Sequence, residues 1–241
     1  MNDAIWLFWE PLKDYGTPEY IDLCLDTIKK HSAGHPVHIV NRSNLNQFIP
    51  VEIRDDVWSL PDIATVSDFI RVVLLFYNGG IWMDIDTVVF RSVQPLFDVF
   101  DDFEFFGYGW EQDKIANGIF GSRARGHIIT SWLKNIAEAL NREREGKQMH
   151  KFAFNFHASR KALKGRKYRH FSYKQMQPFT GADMSVIFSG KGDISPWVNS
   201  ETYAAAIFNS YLRDTKYAGF SKEQLLGDPG VLGQLFRYAL R

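Results

Sequence analysis

Thr65-Val-Ser-Asp-Phe-Ile-Arg-Val-Val-Leu-Leu-Phe-Tyr-Asn-Gly-Gly-Ile-Trp-Met-Asp-Ile-Asp-Thr-Val-Val-Phe90 reads as a helix, a glycine break and a strand that runs into two carboxylates. Ile70, Val73, Leu74 and Tyr77 recur at helical spacing and define one apolar face. Thr65, with Asp68 three residues on, has the form of a capping box in which Asp replaces Glu, and it predicts the helix start. Gly79-Gly80 predicts its end, because glycine accepts the left-handed conformation of many helix C-termini. Ile81 to Met83 then form a short buried strand. Side chains two apart in a strand share a side, so Asp84 and Asp86 are expected to present two carboxylates together at or just past the strand end. Hard oxygen donors of this kind suit Mg2+ or Mn2+, held by one or two carboxylates and by substrate phosphates. Asp68 and Arg71, three apart, share a helical face; a helix packed beside the strand would bring all four groups to one pocket.

Each piece has a plainer reading: Asp-x-Asp as a solvated turn, and Asp68 with Arg71 as a surface ion pair. The whole run, Ser67-Asp68-x-x-Arg71 and then Gly79-Gly80-Ile81-Trp82-x-Asp84-x-Asp86, is more specific. It resembles the Asp-x-Asp sugar-transferase family that includes capsular polysaccharide synthesis proteins, yeast-type mannosyltransferases and the glucosylating domains of clostridial toxins. The close match covers roughly 25 residues. The resemblance implies an α/β fold of the GT-A type, a Rossmann-like mixed sheet flanked by helices with a helical C-terminal part. It also implies a metal-dependent, retaining transfer from a nucleotide sugar to a glycan or lipid-linked glycan, as in bacterial surface polysaccharide synthesis. Mn2+ or Mg2+ would sit on Asp86, with Asp84 beside it; Asp84 would also reach ribose or sugar hydroxyls. Asp68 and Arg71 would hold the donor sugar, with Arg71 extending to the phosphates. A UDP donor is the default and GDP-mannose an alternative.

With 241 residues, 45% apolar and 15% aromatic, one GT-A-like domain over 1–241 with a substantial core is expected. Zero formal net charge gives no basis for a nucleic-acid partner. The lone Cys24 excludes an internal disulfide, fits a reducing compartment and reads as a small core residue. No apolar run approaches the ~20 residues of a membrane span. The N-terminus lacks a basic stretch followed by an apolar one, so no signal peptide is expected. Together these place the chain in the cytoplasm, with peripheral contact at the inner membrane face left open.

Ala4 to Trp9 reads as a buried strand. Thr17-Pro18 reads as a cap followed by the first helical residue, with a helix to about Lys30 that turns Ile21, Leu25 and Ile28 inward. Val37 to Val40 is a second strand, giving a right-handed parallel unit. Ligands in such sheets bind beyond the carboxyl ends of strands, where Trp9 and Asn41 stand. The resemblance gives Trp9 a stacking role on the nucleotide base, against the alternative of a core aromatic. Asn41 is a candidate ribose or base contact, against the alternative of a turn. Phe103 to Tyr108 is a further strand. The segment Asn117-Gly118-Ile119-Phe120-Gly121-Ser122 resembles the family stretch in which an Asn approaches the donor sugar, so Asn117 is carried over; the plainer reading is an Asn-Gly turn.

Ile128, Trp132, Ile136 and Leu140 mark an amphipathic helix over 127–145. Residues 142–174 are basic, eleven Lys or Arg against Glu143 and Glu145, densest at Arg160, Lys161, Lys164, Arg166, Lys167 and Arg169. The region 127–170 therefore reads as a helical, basic insertion. It is either a solvated surface or a patch for an anionic acceptor or an acidic membrane, at roughly 1 kcal/mol per cation. Thr180-Gly181-Ala182-Asp183 resembles the family's Thr-Gly-Pro motif with alanine for proline. Asn209-Ser210-Tyr211 resembles the loop that closes over the donor, with Asn209 or Ser210 as metal or phosphate ligands and Tyr211 as the lid. Leu232, Leu235, Phe236 and Leu240 read as the packed face of a last helix.

Two rival functions stand beside this one. Ile81 to Val88 also resembles the first motif of haloacid-dehalogenase-type phosphatases, although Thr87 stands where that motif has glycine and the preceding Ser-Asp-x-x-Arg and Gly-Gly are no part of it. The other is a sugar-nucleotide-binding protein that has lost activity, against which both Asp84 and Asp86 are intact.

Overall fold

The structure, a computed structural model, describes residues 3–10, 16–112, 114–144, 153–188 and 192–241. In chain order its elements are β1 (Ile5–Phe8), α1 (Glu19–His31), β2 (Val37–Val40), α2 (Asp55–Trp58), α3 (Ile63–Asn78), β3 (Gly80–Met83), β4 (Thr87–Val89), α4 (Gln94–Asp102), β5 (Phe105–Glu111), β6 (Lys114–Ser122) and α5 (His127–Arg144). A π-helical turn (Ala153–His157) leads into α6 (Ala158–Leu163), β7 (Arg169–Ser172), α7 (Tyr173–Met176), α8 (Met184–Phe188), β8 (Ala204–Ala206), α9 (Asn209–Leu212), α10 (Lys222–Gly227) and α11 (Val231–Leu240). The chain forms two compact units, which it enters by turns: a sheet unit of residues 1–10, 38–83 and 95–171, and a helical unit of residues 11–37, 84–94 and 172–241.

In the sheet unit six strands run in the order β2-β1-β3-β6-β5-β7. β1 is parallel to β3, with Trp6 opposite Trp82. β3 is antiparallel to β6, with Met83 opposite Ile119, and β6 is antiparallel to β5. The sheet is therefore mixed and helices flank it, as the family resemblance implies. Trp82, Phe105, Phe120 and Trp132 are almost wholly buried in one cluster, with the Phe120 and Trp132 rings 4.9 Å apart. Burial of such large rings is a dominant source of core stability. Ile128, Trp132, Ile136 and Leu140 of α5 face this core, as their spacing implies.

α3 begins earlier than the Thr65 cap predicts. Its N-cap is Asp62, whose carboxylate accepts the Thr65 N–H at 2.7 Å. A carboxylate serves a first-turn N–H as well as a hydroxyl does, and this leaves Asp68 for other partners. The helix ends at Gly79, where φ is 71°. A Cβ there would lie 2.7 Å from the Ala124 nitrogen, so the position requires glycine for space as well as for conformation. Asn117 and Gly118 lie inside β6 rather than in a turn, at the register shift between Phe106 and Tyr108 of β5, where the Asn117 carbonyl accepts from Arg71.

In the helical unit β4 pairs antiparallel with β8, Thr87 opposite Ala206. α1 caps on Pro18 with no side-chain bond, one residue later than the Thr17 cap predicts. Its buried face is Tyr20, Ile21, Leu23, Cys24, Thr27 and Ile28, while Leu25 is only half-buried. Cys24 is a buried free thiol, as expected. α11 buries Leu232, Leu235 and Phe236, the face its sequence predicts; Leu240 is half-buried. No helix among the described residues is long and apolar enough to cross a membrane.

Candidate functional site

Two clusters of polar groups stand out, one in each unit. In the sheet unit, Asp68 and Arg71 lie one turn apart on α3, 8% and 4% exposed, with Arg71 Nη2 3.2 Å from Asp68 Oδ1. This is a buried pair, not the surface ion pair of the plainer reading. Asn117 Nδ2 donates to the same Oδ1 at 2.6 Å, and Asn155 Nδ2 donates to Oδ2 at 2.9 Å. Arg71 in turn donates to the Asn117 carbonyl, to the Ser67 carbonyl at 3.2 Å and to the Ser67 hydroxyl at 3.0 Å. Its guanidinium carbon lies 4.9 Å from the centre of the Trp82 ring, a cation–π distance. Burying two charges is tolerable only with this density of partners.

Asn155 is a member of this cluster that sequence reasoning missed. It sits on the π-helical turn Ala153–His157. Single π turns often mark functional positions, but no spacing rule in the sequence points from residue 155 to residue 68.

In the helical unit, Asp84, Ile85 and Asp86 form the turn that leads into β4, closed by the Thr87 N–H on the Asp84 carbonyl at 3.1 Å. Asp84 and Asp86 are half-buried, while Ile85 between them is 7% exposed. The alternation expected of residues two apart therefore survives just beyond the strand. Asp86 Oδ2 accepts the Asn209 N–H at 2.7 Å, and the Asp86 carbonyl accepts the Ile207 N–H at 2.9 Å. Between these anchor points Phe208 is held at a left-handed φ of 53°, a strained conformation for a bulky residue. That kink starts α9 and aims the Asn209 amide at Asp86.

The Tyr20 hydroxyl on α1 donates to Asn209 Oδ1 at 2.6 Å. Burial raises the Tyr20 pKa well above its ordinary value, and the Asp86 charge raises it further. The same two causes raise that of Cys24. The hydroxyl is therefore a fixed donor. Tyr20 was also missed at the sequence level.

The donor set at Asp84 and Asp86 consists of hard oxygens and fits Mg2+ or Mn2+ completed by substrate phosphates. Among the described residues no group of three or more His, Cys, Asp or Glu comes together. A site shared with a phosphate-bearing substrate needs only one or two protein carboxylates.

The other candidates lie as follows. Trp9 is half-buried, and its N–H donates to the Val40 carbonyl at 3.0 Å. Asn41 ends β2 in a side-chain turn, its Oδ1 accepting the N–H groups of Ser43 and Asn44 at 3.0 and 3.1 Å. A ribose or base contact would have to use its Nδ2 edge. Ser210 and Tyr211 are exposed, and the Tyr211 ring sits edge-on to Phe208 at 6.3 Å.

Asp183 closes a capping box with Thr180, accepting its N–H at 2.6 Å and its hydroxyl at 2.7 Å. Partial burial raises the Asp183 pKa, but these bonds and one from Trp197 outweigh it and leave the net shift downward. Of the basic region, residues 145–152 lie outside those described. Arg160, Lys161, Lys164, Arg166, Lys167 and Arg169 are all exposed. Lys161 pairs with Glu138 at 2.8 Å, and Lys167 and Arg169 lie over the Phe103 and Phe171 rings.

Comparisons with known proteins agree with this architecture. Over 55 residues the chain is 42% identical to O-glycosyltransferase PaGT of Phomopsis amygdali, a match covering 22% of this chain and 14% of that protein. Over 86 residues it is 34% identical to glycosyltransferase afumC of Aspergillus fumigatus, covering 33% and 19%. The matched segments thus span less than a fifth of either relative. Among solved structures, the apo form of glycosyltransferase GlyE of Streptococcus pneumoniae TIGR4 superposes with a TM-score of 0.51 at 12% identity, over 100% of this chain and 61% of that one. Galactosyltransferase LgtC in complex with donor and acceptor sugar analogues gives 0.50 at 12% identity, over 98% and 95%. At that identity the likeness is one of fold. Residues 1–163 match the family model for capsular polysaccharide synthesis proteins; the chain belongs to that family, and its architecture is GT-A-like.

Proposed function

We propose that the chain transfers a sugar from a nucleotide sugar, by default a UDP-sugar, to a glycan or lipid-linked glycan in surface polysaccharide synthesis. The supporting observation is the turn after β3, which sets Asp84 and Asp86 half-exposed on either side of a buried Ile85. Asp86 and Asp84 would hold the divalent cation, which when bound neutralises charge on the departing diphosphate as a Lewis acid. Asn209, tied to Asp86 through its N–H, adds a polar group that serves either the metal or a phosphate.

In the sheet unit, Asp68 is held rigid by Arg71, Asn117 and Asn155. A carboxylate fixed in this way accepts sugar hydroxyls without first losing side-chain entropy. Asn117 and Arg71 would contact the donor beside it, and Trp9 the base, with Tyr211 as a lid. No nucleophile is assigned, so retention would follow from a front-face reaction without a covalent enzyme intermediate. The six exposed cations of 160–169 suit an anionic acceptor such as a lipid-pyrophosphate glycan, or an acidic membrane surface.

The test is Asp86→Asn with Mn2+ and a panel of nucleotide sugars. Transfer and slow donor hydrolysis should fall at least about 100-fold while the protein keeps its fold. Unchanged turnover refutes the assignment. Phosphate release from a simple phosphomonoester would instead support the phosphatase reading, and nucleotide-sugar binding without turnover under any acceptor the inactive one.

A further inference from the structure

Asn209 carries one amide with two unlike ends, and which end faces the Asp84–Asp86 turn decides its chemistry. An oxygen would ligate a cation; an amino group would donate to a phosphate. The sequence leaves this open. Within the helical unit the choice is made by Tyr20. Its ring is wholly buried on α1, and its hydroxyl gives its one proton to Asn209 Oδ1 at 2.6 Å. The backbone of the same residue is fixed separately, by its N–H on Asp86 Oδ2 at 2.7 Å and by the left-handed kink at Phe208. With the backbone and the amide oxygen both held, the remaining edge of the side chain is Nδ2, a double donor on a half-buried residue.

We infer that Tyr20 is a positioning residue that commits Asn209 to donate, through Nδ2, to a diphosphate oxygen of the nucleotide rather than to ligate the cation. This rests on the function proposed above and assigns the role left open there. A phosphate oxygen beside a carboxylate-held cation still has a lone pair for a donor such as an amide N–H. A carboxylate at residue 209 would repel it.

Calorimetry of UDP binding at saturating Mn2+, on the full chain, tests this with four proteins: unmodified, Tyr20→Phe, Asn209→Asp and the double variant. Thermal melts without ligand verify folding. Asn209→Asp should weaken UDP about tenfold or more, the scale of a lost hydrogen bond to a charged group. Tyr20→Phe frees the amide to flip and should weaken UDP several-fold, with binding of Mn2+ alone unchanged. In the Asn209→Asp background, where both ends of the side chain are oxygen, Tyr20→Phe should cost nothing further. Tighter UDP binding in Asn209→Asp would mark residue 209 as a cation ligand and overturn the inference. An equal loss from Tyr20→Phe in both backgrounds would reduce Tyr20 to a packing residue and overturn it as well. Asp86→Asn with unaltered Mn2+ and UDP binding would instead remove the proposed function itself, so the two failures are distinct.

Discussion

Asp68 is 8% exposed and shares its two oxygens among Arg71, Asn117 and Asn155, whereas Asp86 is half-buried at a turn and takes a backbone N–H from Asn209. The same side chain thus appears once as part of a packed polar network and once at the rim of a solvent-reachable turn. The contrast teaches that one unit fixes its carboxylate with buried partners while the other leaves its carboxylate at a turn, where it can exchange ligands. A buried carboxylate with a buried guanidinium beside it holds its unit together, and removing it strands a charge. A half-exposed carboxylate contributes little to folding and can exchange water for a cation.

The sharpest way to break this comparison is to truncate each carboxylate. Asp68→Ala should cost about 3–5 kcal/mol in denaturant unfolding, because Arg71 stays buried without its partner. Asp86→Ala should cost about 1.5 kcal/mol, the scale of one hydrogen bond to a charged group, yet abolish Mn2+-dependent binding of UDP. Similar losses in the two melts would mean that the environments are not as different as their burial implies.

Next in size is Gly79→Ala, at the end of the helix that carries Asp68. A positive φ of 71° and an approach of 2.7 Å to backbone predict a loss of about 2 kcal/mol or more. A neutral result would show that the 78–80 link relaxes more easily than the Asp68 network it borders. Arg71→Lys keeps the charge but loses the planar fork and the stacking on Trp82. It should cost about 1–2 kcal/mol, separating charge from geometry in the Asp68 network.

The smallest effect is a pH dependence confined to the sheet unit. Burial lowers the His170 pKa, while a hydrogen bond with the Glu111 backbone opposes the shift. The unfolded chain therefore binds the proton more readily than the folded one. The stability this histidine contributes is full above its ordinary value of about 6.5 and declines as pH falls below it. Melts of the unmodified protein and His170→Gln between pH 7.5 and 5, a window of roughly the span of histidine titration, should show a shallower decline in the variant. Parallel curves would exclude it.

How much of this was legible beforehand follows from range in sequence. The α3 helix, the glycine break, β3 and the half-buried pair at 84 and 86 all depend on spacings of one to four residues, and periodicity reads such spacings directly. The helical cap is the instructive near miss. Thr65 was the local candidate, but Asp62 fills the role, since two capping residues three apart compete for the same first turn. Asn117 had a local alternative too, an Asn-Gly turn, but it lies inside β6 and its side chain meets Asp68.

The mixed α/β architecture followed only from the family resemblance, while the order of residues by itself determined the buried face of α11, the buried Cys24 and the spacing of the carboxylate pair. Those are consequences of backbone geometry within a few residues, or of hydrophobic patterning along one element. Only the folded chain decided that Asp68 meets Asn155 and that Tyr20 reaches Asn209. Single side chains far apart in sequence make those contacts. They leave no period to read, because one hydrogen bond constrains two positions and nothing between them.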